Sequence, residues 1–185
     1  ILYIIAKDRI RTKGECSGVV GTVMTNLGCE LALKTLGVPF AIAKVGDRYV
    51  NAMMRENGWV YGGENSGHVI CADVTSTGDG VIAALKVLFA VVSCGQSLGE
   101  LVSEMDMFPQ IMINVARKKD VDVTSDPAIL AAVADVQKEL GDDGRVLLRP
   151  SGTEPVVRVM VEGRDHNAVK RLATAIAGDV EAIMA

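Results

Sequence analysis

Hydrophobic positions in the first hundred residues change period repeatedly, which predicts short strands alternating with helices. Residues 18–25 (GVVGTVMT) read as a buried strand. NLGCELALKTLG follows with apolar residues at Leu27, Leu31 and Leu33–Leu36, then Gly37 and Pro39 as stop signals, which is a helix. PFAIAKV is a second strand, and Asp47 is placed to cap a helix that carries Val50, Met53 and Met54 and ends near Gly58. WVYG and HVICA give two more strands. Asp79 opens a helix over VIAALKVLFAVV (81–92), whose largely apolar character predicts a buried core helix. Ser97 with Glu100 forms a capping-box pattern for a short helix ending near Met105.

The pattern changes after Phe108-Pro109. A strand (QIMINVARK) precedes a polar loop, then Asp126-Pro127 supply the N-cap and first position of a helix through Leu140. GDDG makes a turn, VLLR and VVRVMVEG are strands around PSGTEP, and a last helix runs from about Asp165 to the end. Strand–helix alternation predicts a mixed-sheet α/β layered domain over 1–107. The order β-α-β-β-α predicts a small α+β domain over 108–185, an antiparallel sheet covered by two helices.

Composition narrows this little. The 185 residues carry a net charge of −4 and 23% charged side chains, with a mean hydropathy of +0.29, a globular profile without a nucleic-acid surface. The 81–92 run is broken by Lys86 and too short to span a membrane. Cys16, Cys29, Cys71 and Cys94 lack CxxC spacing and read as four buried thiols of a cytoplasmic protein, with no metal site. The N-terminus, ILYIIAKDRIR, is apolar first and basic after, the reverse of a secretory signal. It starts without a methionine, which predicts a fragment or a processed chain.

Three segments carry candidate chemistry. In YGGENSGHVI (61–70) an extended chain would put Glu64, Ser66 and His68 on one face, an acceptor, a hydroxyl and an imidazole sharing one space. A polar strand end with a satisfied histidine is the competing reading. In LLRPSGTEPVVRVMVEG (147–163) Ser151, Gly152 and Thr153 sit between Arg149 and Arg158. Hydroxyls and free N–H groups of a glycine turn, with two guanidinium groups, suit a phosphate. An ordinary hairpin competes, and the arginines favour phosphate. In AKVGDRYV (43–50), Lys44, Asp47 and Arg48 cluster where a strand meets a helix, a common place for anion contacts. A helix cap and a solvated charge pair compete for Asp47. GENSG is not a nucleophile elbow, no Walker-type loop is present, and GDG at 78–80 reads as a turn before a helix.

GGENSGH, TSTGDG, KVGDRYV and RPSGTEPVVRVMVEG, in their order, resemble the α-D-phosphohexomutase superfamily, in its bacterial phosphoglucosamine mutase branch. The resemblance covers essentially the whole chain and corresponds to the C-terminal half of such enzymes. It implies the third of four domains, an α/β domain, and the fourth, which is similar to the TATA-binding-protein fold. It also implies interconversion of glucosamine 6-phosphate and glucosamine 1-phosphate through a phosphoserine and glucosamine 1,6-bisphosphate, assisted by magnesium. GENSGH would be the sugar-binding loop, with Glu64, Asn65, Ser66 and Gly67 on the ring and His68 near the reacting oxygen. RPSGTEP would be the phosphate-binding loop, with Arg149, Ser151, Gly152 and Thr153 on the non-transferring phosphate, Arg158 in support, and Lys44 and Arg48 as possible anion contacts.

The family's phosphoserine loop and its DGDGDR metal loop have no counterpart in this chain, which predicts recognition parts that are inactive alone. Phosphomannomutase/phosphoglucomutase members carry a histidine in a KTGH-like segment where this chain reads KVGD. That favours the glucosamine branch over a mannose or glucose mutase. A free-standing phosphosugar-binding module is the remaining alternative.

Overall fold

In the computed structural model, residues 1–118, 121–152 and 154–185 are described, and they divide into two compact units, Ile1–Met107 and Phe108–Ala185. Thr153, one of the expected phosphate contacts, lies outside the described residues.

The first unit is built on a four-stranded mixed sheet. Strands β1 (Val19–Thr22), β2 (Phe40–Ala43), β3 (Tyr61–Gly63) and β4 (Val69–Cys71) lie in the order β2-β1-β3-β4. β1 pairs in parallel with β2 (Val19↔Phe40 to Thr22↔Ala43) and with β3, whereas β4 returns antiparallel to β3. The period of two then sorts residues to opposite faces. Val19, Tyr61, Val69 and Cys71 pack with α1 (Leu2–Lys13), α2 (Leu27–Thr35) and α4 (Gly80–Cys94). Val20, Ala43 and Ile70 pack instead with Val50 and Met54 of α3 (Asp47–Asn57). The ladder is shorter than the apolar runs because β1 stops at Thr22, where Thr25 Oγ1 accepts from the Thr22 N–H at 2.9 Å.

Several expectations change. The N-terminal run, to which the apolar pattern assigned no element, forms α1, whose Leu2–Ala6 stretch is buried. Asp47 does not cap α3: Gly46 holds the N-cap and Asp47 is the first helical residue, its Oδ1 accepting from the Arg48 N–H at 2.7 Å. Asp79 does cap α4, accepting from the Val81 and Ile82 N–H groups. Yet α4 is not a buried core helix. Only Ala83 and Ala90 are buried, while Val81, Leu85, Leu88, Phe89 and Val92 are 56–79% exposed. Ala83 joins the cluster on the sheet and Ala90 packs with Ile4 of α1 and Leu101, while these large residues point outward. The capping box of Ser97 and Glu100 forms as expected, but α5 (Leu98–Leu101) is a single turn ending before Met105. All four cysteines are free; Cys16 and Cys71 are buried, but Cys29 and Cys94 are only half-buried.

The second unit follows the expected order: β5 (Gln110–Ala116), α6 (Pro127–Leu140), β6 (Gly144–Pro150), β7 (Val156–Gly163) and α7 (His166–Met184). Its sheet is antiparallel throughout, in the order β5-β7-β6. Val157, Val159 and Val161 of β7 meet Ile176, Val180 and Val169 of α7 and Ile129 of α6 on the helical face. The other face carries Asn114, Arg158 and Arg149 in one row, since these three are direct cross-strand partners.

Candidate functional site

Strands β1, β2 and β3 run parallel, so their carboxyl ends share one edge of the first unit's sheet, the edge where open α/β sheets bind ligands. Two of the expected segments meet there. Lys44 to Arg48 follow β2 into α3, and Glu64 to His68 follow β3. They are tied together: Glu64 Oε2 accepts from the Gly46 N–H at 2.8 Å, and His68 Nε2 lies 3.5 Å from Asp47 Oδ2.

Residues 64–68 are not the extended stretch that the alternation of polar residues predicts. They form a tight turn between β3 and β4, in which the Glu64 N–H donates to His68 O (2.9 Å) and the Gly67 N–H to Glu64 O (3.0 Å). Gly67 sits at φ +95°, a left-handed conformation that the turn requires and that glycine adopts without strain. Glu64 and His68 therefore face each other at the base of the turn, half-buried, with Asn65, Ser66 and Gly67 exposed at its tip. A protruding polar tip over a fixed acceptor and imidazole suits a polyhydroxylated ligand.

His68 is held by a residue that reads from sequence only as part of a turn. Gly78 pairs with Ile70 beside β4, and a Cβ at Gly78 would fall 2.1 Å from His68 Nε2. The ring packs flush against a glycine backbone, and Nε2 is shut from solvent with no hydrogen-bond partner. Of the expected anion contacts, Lys44 is exposed at the end of β2. Arg48 is turned aside: its guanidinium donates to Tyr49 Oη at 2.7 Å and lies 4.6 Å from the Tyr49 ring centre. A groove of about 840 Å³ elsewhere in this unit runs between α1 and α4, lined by Leu85, Leu88, Phe89 and Val92. Its wall is mostly apolar, with Asp8, Arg9, Lys13, Asp73 and Lys86 also on it, and it shares no residue with the 44–48 and 64–68 cluster.

In the second unit the expected phosphate loop connects β6 to β7. Arg149 and Arg158 are direct cross-strand partners, so two guanidinium groups stand on one face, and the Nε of each is enclosed without a hydrogen bond. Burial, and then the charge of Arg158, lower the pKa of Arg149 from its ordinary value. Like charges held this close repel each other, and an opposite charge nearby would ease that repulsion. The loop itself is closed by the Ser151 N–H donating to Val156 O (2.9 Å) and the Glu154 N–H to Ser151 Oγ (3.3 Å). Gly152 is exposed at the bend. Glu154 also accepts from Arg158 at 2.6 Å, a partial neutralisation that the motif alone does not show. Among the described residues no group of three His, Cys, Asp or Glu side chains could hold a metal ion, and no helix is long and apolar enough to cross a membrane.

Residues 1–108 match the family model described as phosphoglucomutase/phosphomannomutase, alpha/beta/alpha domain III, and residues 112–178 match phosphoglucomutase/phosphomannomutase, C-terminal domain. The chain is 56% identical over 184 residues to a phosphoglucosamine mutase of Cellvibrio japonicus (strain Ueda107), covering 100% of this chain and 41% of that protein. It is 55% identical over 181 residues to a phosphoglucosamine mutase of Aeromonas salmonicida (strain A449), covering 98% and 41%. It thus spans about two fifths of the length of these relatives. The crystal structure of Aspergillus fumigatus N-acetylphosphoglucosamine mutase in complex with GlcNAc-6P and magnesium superposes with a TM-score of 0.80 at 22% identity, covering 100% of this chain and 43% of that one, a likeness of fold.

Proposed function

The chain belongs to the phosphoglucomutase/phosphomannomutase family, and from that premise we propose that it supplies the sugar and phosphate recognition of a cytoplasmic phosphoglucosamine mutase. The reaction would interconvert glucosamine 6-phosphate and glucosamine 1-phosphate through the 1,6-bisphosphate. The observation that carries the substrate class is the Arg149–Arg158 pair, two adjacent guanidinium groups with enclosed, unbonded Nε–H donors. A phosphate placed against this half-buried pair relieves their mutual repulsion.

Each residue has a distinct task in this reading. Arg149, Ser151, Gly152 and Thr153 grip the phosphate that does not transfer. Arg158, already paired with Glu154, supports them. In the sugar loop Glu64 keeps one oxygen for a ring hydroxyl, because its other oxygen is occupied by the Gly46 N–H. Asn65, Ser66 and the Gly67 backbone read the neighbouring hydroxyls, and Lys44 attracts the anionic ligand. His68 holds or moves a proton at the reacting oxygen. Its Nε2 is enclosed, so the ring presents Nδ1 to ligand. The family's magnesium would supply charge neutralisation, but the described residues do not fit it and no step here passes through it.

The test is an NMR titration of the ¹⁵N-labelled chain with glucosamine 6-phosphate. Resonances of residues 64–68 and 149–152 should shift, and Arg149→Met should weaken binding by about tenfold, the loss of a charge-assisted hydrogen bond. Because the chain has no counterpart of the phosphoserine loop, a coupled mutase assay should show no turnover. Turnover by a clean preparation, or shifts confined to other residues, would refute the reading.

A further inference from the structure

The sugar-recognition cluster contains a carboxylate that the scheme above leaves unused. Asp47 is fixed through Oδ1, which accepts from the Arg48 N–H at 2.7 Å. Its Oδ2 faces His68 Nε2 at 3.5 Å, beyond an N–H···O hydrogen bond, and the side chain is 60% exposed. That oxygen therefore retains acceptor capacity at the edge of the 64–68 turn. The adjacent cation does not use it, since Arg48 is stacked on Tyr49 and donates to its hydroxyl. The cluster's other carboxylate, Glu64, is anchored by a neutral donor, the Gly46 N–H. An acidic residue in the first turn of α3 also favours the helix, but that effect needs only the charge and does not aim Oδ2 at the sugar turn.

We propose that Asp47 determines specificity by selecting an amino sugar, its Oδ2 accepting from the ammonium group of a phosphorylated 2-amino hexose held by the 64–68 turn. The proposal rests on the phosphosugar reading. A hydroxyl in place of the ammonium still donates a hydrogen bond but brings no charge, and an N-acetyl group removes the charge altogether. The phosphate group is common to all three ligands and cannot distinguish them.

The experiment titrates the ¹⁵N-labelled chain with glucosamine 6-phosphate, glucose 6-phosphate and N-acetylglucosamine 6-phosphate, with inorganic phosphate as a control for the 149–152 loop. We expect the free amine to bind about 3- to 5-fold more tightly than the other two, the scale of a solvent-exposed ion pair. The ratio should shrink towards one as salt is added, through screening. In Asp47→Asn, which keeps size and an acceptor oxygen, the preference should vanish while phosphate shifts at 149–152 persist. The salt series and the N-acetyl comparison use the unaltered chain, so the absence of a salt-sensitive preference there overturns the proposal even if the variant folds poorly. Equal affinity for all three sugars, or a preference that survives in Asp47→Asn, overturns the role of Asp47 alone. No shift at 64–68 with any sugar overturns the sugar-loop reading and this proposal with it.

Discussion

At the scale of single residues, the site depends on space as much as on charge. His68 and Gly78 show this. A methyl group at Gly78 would fall 2.1 Å from His68 Nε2, a distance no real contact tolerates, so Gly78→Ala must displace the imidazole. The expected outcome is a shift of the His68 ring resonances and loss of their response to phosphosugar, with the rest of the spectrum retained. An unmoved ring would show that the fit is not tight. Arg149 gives a second prediction. Replacing one of two adjacent cations by an apolar residue of similar length removes repulsion and an enclosed donor without a partner. Arg149→Met should therefore leave the urea midpoint of the second unit unchanged or raise it, while weakening phosphosugar binding. The sequence marks Arg149, Arg158, Glu64 and His68 as candidates because their residue types suit the proposed chemistry. Gly78 and the hydrogen bond between Glu64 and Gly46 are not legible, because each depends on segments that only the folded sheet edge brings together. The alternation at 64, 66 and 68 misleads, since Gly67 at φ +95° allows a tight turn in which residues 64 and 68 become partners.

At the scale of elements, strand and helix order follows from periodicity, but the exposed side of a helix does not. VIAALKVLFAVV is apolar except for Lys86, and such patterning cannot say which face meets the sheet. The folded unit decides it: Ala83 joins the cluster on the sheet and Ala90 packs with Ile4 and Leu101, whereas Ala84 is exposed. Phe89→Lys and Leu85→Lys should accordingly change stability by no more than about 0.5 kcal/mol, as at ordinary surface positions. Ala90→Leu should cost about 1–3 kcal/mol through overpacking, and urea unfolding measures both. α1 escapes notice for a related reason: it has no capping side chain, and its apolar half precedes its polar half instead of interleaving with it. Beside their shared apolar cluster, a polar link also joins α1, α4 and the sheet. Asp73 accepts from Tyr61 Oη and Lys86 Nζ, both at 2.9 Å, with Arg9 at 3.8 Å. Burial alone would raise the Asp73 pKa, but the hydrogen bonds from Lys86 and Tyr61 and the charges of Lys86 and Arg9 together hold it below its ordinary value. The folded chain then binds fewer protons than the unfolded one between the two pKa values, so stability rises with pH there. Asp73 contributes fully above about pH 4 and loses its contribution as pH falls through the lower folded value. Urea midpoints of the wild type and Asp73→Asn should converge in strong acid and diverge towards neutrality. Parallel curves would show that the carboxylate contributes nothing by charge.

At the scale of the whole molecule, the core residues of each unit come from that unit alone. Leu33, Val19, Tyr61, Val50 and Met54 belong to clusters confined to Ile1–Met107, whereas Val159, Val161, Ile129, Ile176 and Val180 form one cluster within Phe108–Ala185. No buried apolar group in these clusters needs a neighbour from the other unit, and each unit falls within the ordinary size range of a domain. Each is therefore expected to fold when expressed separately, with dispersed amide spectra and cooperative urea unfolding. The second unit is the more demanding case, because small domains bury a lower fraction of their surface and have little stability to spare. Ile176, 1% exposed, packs from α7 onto the valines of β7, and its truncation removes contacts that no rearrangement of a three-stranded sheet can replace. Ile176→Ala should cost about 2–5 kcal/mol, a large part of the 5–15 kcal/mol typical of a domain. In the isolated 108–185 polypeptide it should collapse amide dispersion or bring the urea midpoint close to zero. A well-dispersed variant with an unchanged midpoint would show that the α7–β7 contact does not hold this unit together.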